Sequence, residues 1–252
     1  MNDAAARWFE LFRAFGNAPS PDSYAAVFHP EGEVADAGMA TPTPAAQVRD
    51  AIAHVLRLMP DLRIDMQRYR ARGDAVFVEA ANTGTINGTP VAWNAVYRVH
   101  LRDGLVHRGR RFYDQARVFR ALRPDLGWLP PLAAAAGEGP ATYADLLSGA
   151  PVTAALAPDA TIEVADQPAP IPRAALSRHL AGVPFAVVDH AGDDTLAFVE
   201  WRRGDLLGID RLDLSGGWIV AMRRYFDTLG LLAEHDPSVV ALRAALLSNA
   251  SR

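Results

Sequence analysis

The 252-residue chain contains no cysteine. That excludes disulfides, thiolate nucleophiles and Cys-ligated zinc or iron–sulfur centres. Lysine is missing as well: all 25 basic residues are Arg, so neither a Schiff base nor a lysine general base can form. There is no Gly-rich phosphate loop, and Gly216-Gly217 reads as a hairpin turn. The histidines, at 29, 54, 100, 107, 179, 190 and 235, form no H-x-H or H-x-x-x-H pair; His100 and His107 alone could meet, across a hairpin, so no metal is expected. A net charge of −4 lacks the basic excess of a nucleic-acid surface. No apolar run approaches the roughly 20 residues that cross a bilayer, and the first residues show no secretory-signal pattern. The expectation is a cytoplasmic protein with no membrane or nucleic-acid partner.

What the chain does have is repetition. Glu33-Val34-Ala35-Asp36 recurs as Glu163-Val164-Ala165-Asp166, and Arg110-Arg111-Phe112-Tyr113-Asp114 as Arg223-Arg224-Tyr225-Phe226-Asp227. Between these marks Asp65 is echoed by Asp189, and Val-Phe-Val-Glu79 by Ala-Phe-Val-Glu200. Two copies of about 110 residues are too few and too long for a solenoid, so two globular domains are expected. We place them at 1–123 and 141–252, joined by a Pro- and Gly-rich linker at 124–140 that packs at the junction.

Within the first copy, residues 3–16 carry Ala6, Phe9 and Phe12 on one helical face. A second helix follows Ser20-Pro21 and runs to His29-Pro30, and residues 32–37 form a short strand with Asp36. Thr43-Pro44 opens a third helix, with Val48, Ile52, Val55 and Met59 at the 3.6 period. After Pro60 the period becomes two, giving strands at about 62–70, 74–84, 90–101 and 105–114. Asp103-Gly104 is the hairpin turn between the last two. A short helix at 115–122 closes the copy; the second copy repeats the plan with shorter hairpins and ends in a helix at 237–248.

Helices followed by a curved antiparallel sheet make an α+β domain. Phe28-His29-Pro30-Glu31-Gly32-Glu33-Val34-Ala35-Asp36, Arg102-Asp103-Gly104-Leu105-Val106, Arg110 through Asp114 and Asp227-Thr228-Leu229-Gly230-Leu231-Leu232 resemble passages of the nuclear-transport-factor-2-like superfamily. Within it they are similar to SnoaL-like polyketide cyclases, ketosteroid isomerase and polyether epoxide hydrolases. The resemblance implies two cone-shaped domains paired within one chain, a monomer in solution, and cofactor-free chemistry on a hydrophobic polyketide-, polyether- or terpenoid-like molecule. A non-catalytic binding or interaction module is the other reading, since this fold does not fix function.

A carboxylate inside an apolar cone has its pKa raised, which suits it to acid/base work. The resemblance puts a base at Asp36, with Asp166 as its twin, and an acid/base carboxylate at Asp114 and Asp227. Ketosteroid isomerase pairs such an Asp with oxyanion donors. Each Asp has a structural alternative, a helix cap for Asp36 and an ion pair with Arg110 for Asp114, or with Arg223 for Asp227. Asp36 with Asp65, and Asp166 with Asp189, resemble the paired acids of epoxide-opening tandem domains. Strand alternation puts Arg108, Arg110, Phe112 and Asp114 on one face, and Trp93 and Tyr97 are assigned to the same face as aromatic walls. Glu79 and Glu200 face either the cone or, as expected, solvent. The second pocket, with Leu206 and Asp210 where the first has Trp93 and Tyr97, is expected to be smaller and more polar. The catalytic residues of limonene-epoxide hydrolase would fall on Ala80, Asn82 and Arg111, so that mechanism is not expected.

Overall fold

The computed structural model describes residues 3–36, 41–126, 155–165, 167, 169–173, 186–229, 232, 238 and 239. The chain divides into two compact units, Met1–Leu126 with Asp227–Arg252, and Gly127–Phe226. The repeat counts the segment from Asp227 with the second copy, whereas it groups with the first unit, where Asp227 and Thr228 bond to Gln115 and Asp114. Asp166, most of the 124–140 linker, and nearly all of the expected helices at 141–156, 172–182 and 237–248 lie outside the described residues.

In the first unit α1 (Asp3–Asn17) buries Trp8, Phe9, Phe12 and Phe15, the stripe its helical period sets out. At its end Gly16 meets the Ile64 carbonyl so closely that no Cβ would fit. α2 (Pro21–Ala25) is capped by Ser20, which exchanges hydrogen bonds with Ser23 in a capping box. Pro30 then forbids helix, so β1 (Phe28–Asp36) begins several residues before the strand expected at 32. Thr43-Pro44 forms a short strand β2 against Glu33 and Val34 instead of capping a helix. A 3-10 turn at Ala45–Gln47 leads into α3 (Val48–Leu58).

Four long strands follow: β3 (Arg63–Arg72), β4 (Ala75–Ile86), β5 (Thr89–Arg102) and β6 (Leu105–Phe112), then the short α4 (Gln115–Phe119). The sheet order is β2-β1-β6-β5-β4-β3, with β1 parallel to β6 and every other pair antiparallel. Asp103 and Gly104 both take positive φ, 54° and 72°, the backbone a tight hairpin turn demands.

The second unit contains β7 (Leu156–Val164), β8 (Ala186–Gly192), β9 (Leu196–Arg203), β10 (Leu206–Ser215) and β11 (Trp218–Phe226). Their order, β7-β11-β10-β9-β8, is that of β1, β6, β5, β4 and β3, again with its first pair parallel. The architecture is α+β, with helices packed on an antiparallel-rich sheet in the first unit and the same strand plan in the second.

One bulge decides which residues share a face. Between His100 and Leu101 the register of β5 on β6 slips, so Tyr97 lies opposite Arg111 and Val96 opposite Phe112. Uniform alternation across the Asp103-Gly104 turn would have put Tyr97 with Arg110 and Phe112, as expected above; the bulge reverses that. The inner face, against which the α1 rings pack, carries Val78, Ala80 and Asn82 on β4, Trp93, Ala95 and Tyr97 on β5, and Arg111 on β6. Glu79, Arg110 and Phe112 belong to the other face.

Candidate functional site

The polar centre of the first unit is the pair Asp36–Arg111, neighbours in the parallel register of β1 and β6. The guanidinium grips the carboxylate with two hydrogen bonds, Nε to Oδ1 at 2.6 Å and Nη2 to Oδ2 at 3.0 Å. Such a fork fixes both groups in one plane. Their side chains retain 11% and 29% exposure for Asp36 and Arg111, so the pair lies at a rim rather than sealed in the core.

Phenols surround it. Tyr113 donates toward Asp36 Oδ2 at 3.4 Å, and Arg111 reaches the Tyr24 hydroxyl at 3.5 Å. Tyr97, cross-strand from Arg111, donates instead to Asn82 Oδ1 at 2.9 Å. Asn82 is fixed in turn by bonds to the carbonyls of Ala80 and Trp93, both 3.3 Å. The Trp93 ring lies 6.4 Å from that of Tyr113. Burial raises the pKa of Tyr24, Tyr97 and Tyr113, so these phenols remain protonated donors at neutral pH. Burial alone would lower the pKa of Arg111, but Asp36 and Tyr24 more than offset it and the guanidinium stays charged.

Beneath the pair the interior is nearly filled. A cavity of about 20 Å³ remains among Trp8, Phe12, Tyr24, Tyr97 and Arg111, room for about one water. A wider surface groove of about 510 Å³ lies between α1 and β3, with Phe9, Arg13, Asp65 and Tyr69 on its walls.

Several expected site residues lie elsewhere. Asp65 is exposed and accepts from Gln67 at 2.6 Å; it does not join Asp36, so the paired acids expected for epoxide opening are not assembled in the first unit. Glu79 and Glu200, expected at solvent, are buried at 2% and 0% exposure, Glu79 on the face opposite Tyr97. Arg110 and Phe112 share that outer face. Asp114 is 2% exposed and caps α4 through Ala116 N at 3.1 Å. Its Oδ1 also receives the Thr228 backbone N–H and hydroxyl, at 3.2 and 2.5 Å. Arg120 lies beside it, at 3.7 Å from Oδ2. Asp227 accepts from Leu229 N and Gln115 N at 3.1 and 3.3 Å. Asp189 is half-buried and takes the His190 N–H at 2.8 Å. Arg223 grips Glu163 at 2.7 and 3.0 Å, where Asp227 was the expected partner. His107 meets His29, at 5.9 Å between rings, and His100 meets Asp74.

Arg111, Tyr113, Tyr24 and Asn82 were not expected at the site. The doubled Arg110-Arg111 was a signal, but choosing between the two requires the bulge.

Residues 5–109 match the family model described as a SnoaL-like domain. Solved structures align with about half of the chain. One is a protein with a ketosteroid isomerase-like fold from Catenulispora acidiphila in complex with trimethylamine, 22% identical over 49% of this chain and 97% of its own, TM-score 0.43. Another, assigned as a SnoaL-like polyketide cyclase from Jannaschia sp., is 19% identical over 48% and 94%, TM-score 0.42. A third, an NTF2-like protein of unknown function from Burkholderia pseudomallei, is 17% identical over 48% and 98%, TM-score 0.43. No curated protein sequence matches significantly. Among the described residues no helix is long and apolar enough to cross a membrane.

Proposed function

We propose that the first unit is a cofactor-free proton-transfer enzyme acting on a hydrophobic, enolisable small molecule by isomerisation or ring closure. The observation that carries this reading is the Asp36–Arg111 fork set among protonated phenols at a partly exposed rim. Asp36 takes a proton from carbon beside a carbonyl, and the C–H electron pair moves onto the carbonyl oxygen. Arg111 and the Tyr113 hydroxyl donate to that enolate oxygen, as preorganised donors do where charge develops. Return of the proton to a different carbon gives the isomer. Attack of the enolate carbon on a second carbonyl in the molecule closes a ring; the Tyr113 hydroxyl protonates the new alkoxide and regains its proton from the carboxyl of Asp36. Trp93 walls the site. Asp114 has no part in this scheme, because it is only 2% exposed and its Oδ1 is held by Thr228 and Ala116.

A second reading, a small-molecule-binding module without chemistry, is favoured by one observation. Both Asp36 oxygens are engaged, and the cavity beside the pair is about 20 Å³. Solvent-deuterium exchange separates the two readings. A panel of hydrophobic ketones and β-dicarbonyls is incubated with protein in D2O and followed by proton NMR. The enzyme reading expects faster exchange of the α-protons of at least one compound, lost by roughly 10²-fold or more in Asp36→Asn. Binding detected by tryptophan fluorescence, with no exchange for any compound, would leave the binding module as the function.

A further inference from the structure

The strands of the two sheets correspond in register, and the correspondence keeps the Arg110-Arg111/Arg223-Arg224 echo but not the Glu-Val-Ala-Asp one. On β1 and β6, Phe28 lies opposite Val106, Glu33 opposite Arg108 and Asp36 opposite Arg111. On β7 and β11, Leu156 lies opposite Ile219, Thr161 opposite Ala221 and Val164 opposite Arg224. Arg224 is therefore the counterpart of Arg111, and Val164 that of Asp36. The echoed Asp166 is two residues out of step with this register.

The other positions of the site have changed as well. Asp210 lies opposite Arg224 as Tyr97 lies opposite Arg111. Asp210 also pairs with Val199 as Tyr97 pairs with Val78, which sets Trp201 where the first unit has Ala80, and Gly208 where it has Ala95. Arg224 forks onto Asp210, Nε to Oδ1 at 2.8 Å and Nη2 to Oδ2 at 2.7 Å. The Trp201 indole N–H donates to the same Oδ1 at 2.9 Å, and the guanidinium lies 5.2 Å from the centre of its ring. A Cβ on Gly208 would collide with the Trp201 ring, so the indole fills the space that small residues leave in the first unit. The side chains of Arg224 and Asp210 keep only 2% and 5% exposure, against 29% and 11% for Arg111 and Asp36.

We infer that the second unit has turned its copy of the site into a closed structural plug, Arg224–Asp210–Trp201, and that the chain has one working site, in the first unit. The assignment of the working site rests on the function proposed above; the plug rests on register and burial alone. A buried pair with its hydrogen bonds satisfied tolerates loss of one partner poorly, because the other charge is left desolvated. A rim pair that meets a ligand is under no such constraint.

The test compares Arg224→Met and Asp210→Asn with Asp36→Asn in the full chain, reading thermal unfolding and α-proton exchange together. Arg224→Met and Asp210→Asn are expected to lower the melting temperature by on the order of 10 °C. Exchange per folded molecule, measured well below the melt, should not change. Asp36→Asn is expected to move the melt little and remove exchange. If Arg224→Met does not fold, the milder Trp201→Phe reads the same coupling: it removes the indole donor and should lower the melt while leaving exchange intact. Second-unit variants with an unchanged melt would overturn the plug, and loss of exchange at full folding would overturn the single site. Should no compound exchange even in the wild type, the function proposed above fails and the melting comparison still decides the plug.

Discussion

Thr228 donates twice to one oxygen of Asp114, its hydroxyl at 2.5 Å and its backbone N–H at 3.2 Å. The favour is returned one residue along, where Asp227 accepts the Gln115 N–H at 3.3 Å. Each aspartate also caps the turn that follows it, through Ala116 N and Leu229 N. The two repeated Asp residues thus form a reciprocal clasp within the first unit, and their recurrence in sequence reflects that geometry. Thr228 is fully buried, so Thr228→Val removes the hydroxyl bond without opening a cavity. We expect a loss of about 2 kcal/mol, the scale of a hydrogen bond to a charged group, measured as a lower urea midpoint at unchanged m. An unchanged midpoint would mean the clasp is incidental.

The same carboxyl predicts a pH dependence. Burial pushes Asp114 up to about 6, opposed by the Thr228 hydroxyl and by Arg120. In the unfolded chain it titrates near 4. Between those values the native state holds a proton that the unfolded state has lost, so stability falls as pH rises from about 4 to 6 and is level above. The contribution is at most about 3 kcal/mol. Asp114→Asn should flatten this part of the stability curve and leave the protein no weaker at pH 7. Urea midpoints taken across the window check it, and a variant curve as steep as the wild type would assign the slope to another group.

How much of this was legible in the sequence differs by level. The helix of Trp8, Phe9 and Phe12, the strands after Pro60 and the Asp103-Gly104 turn follow from local pattern, because period and turn chemistry act over a few residues. Asp36 was legible by resemblance. Its partner was not, because the choice between Arg110 and Arg111 depends on a bulge at His100/Leu101 that no residue type marks. The repeat misled in one place: Glu-Val-Ala-Asp recurs, yet the strand pairing sets Val164 rather than Asp166 against Arg224. Identity of a tetrapeptide does not fix register, which is set by the whole buried face. Glu79 and Glu200 were expected at solvent from alternation alone, and burial of the outer face overrode that expectation.

Two glycines give a paired packing prediction. A Cβ on Gly208 would strike the rigid indole of Trp201, whereas one on Gly84 would strike the flexible end of Met59. Both are strand residues without positive φ, so the backbone adds no strain and the neighbour decides. Gly208→Ala should cost about 1–3 kcal/mol as overpacking against a ring that cannot yield. Gly84→Ala should cost less, since methionine repacks readily. Equal midpoints in chemical denaturation would show that the Trp201 ring moves freely and is no plug.

The roles of Arg111 and Tyr113 can be separated by kinetics once an exchanging compound is in hand. Arg111 holds Asp36 in place and, in the proposed reaction, would face the developing oxyanion, so Arg111→Lys keeps the charge but loses the fork. If the fork aims the base, kcat should fall about 10-fold or more with KM little changed, because a point charge cannot align both carboxylate oxygens. Tyr113→Phe keeps the ring against Trp93 and removes only the hydroxyl near Asp36. Its loss should lower kcat and kcat/KM equally, the pattern of a donor used only in the transition state. A rise in KM at constant kcat for Tyr113→Phe would instead make it a binding contact, and full activity in Arg111→Lys would separate base positioning from the ion pair.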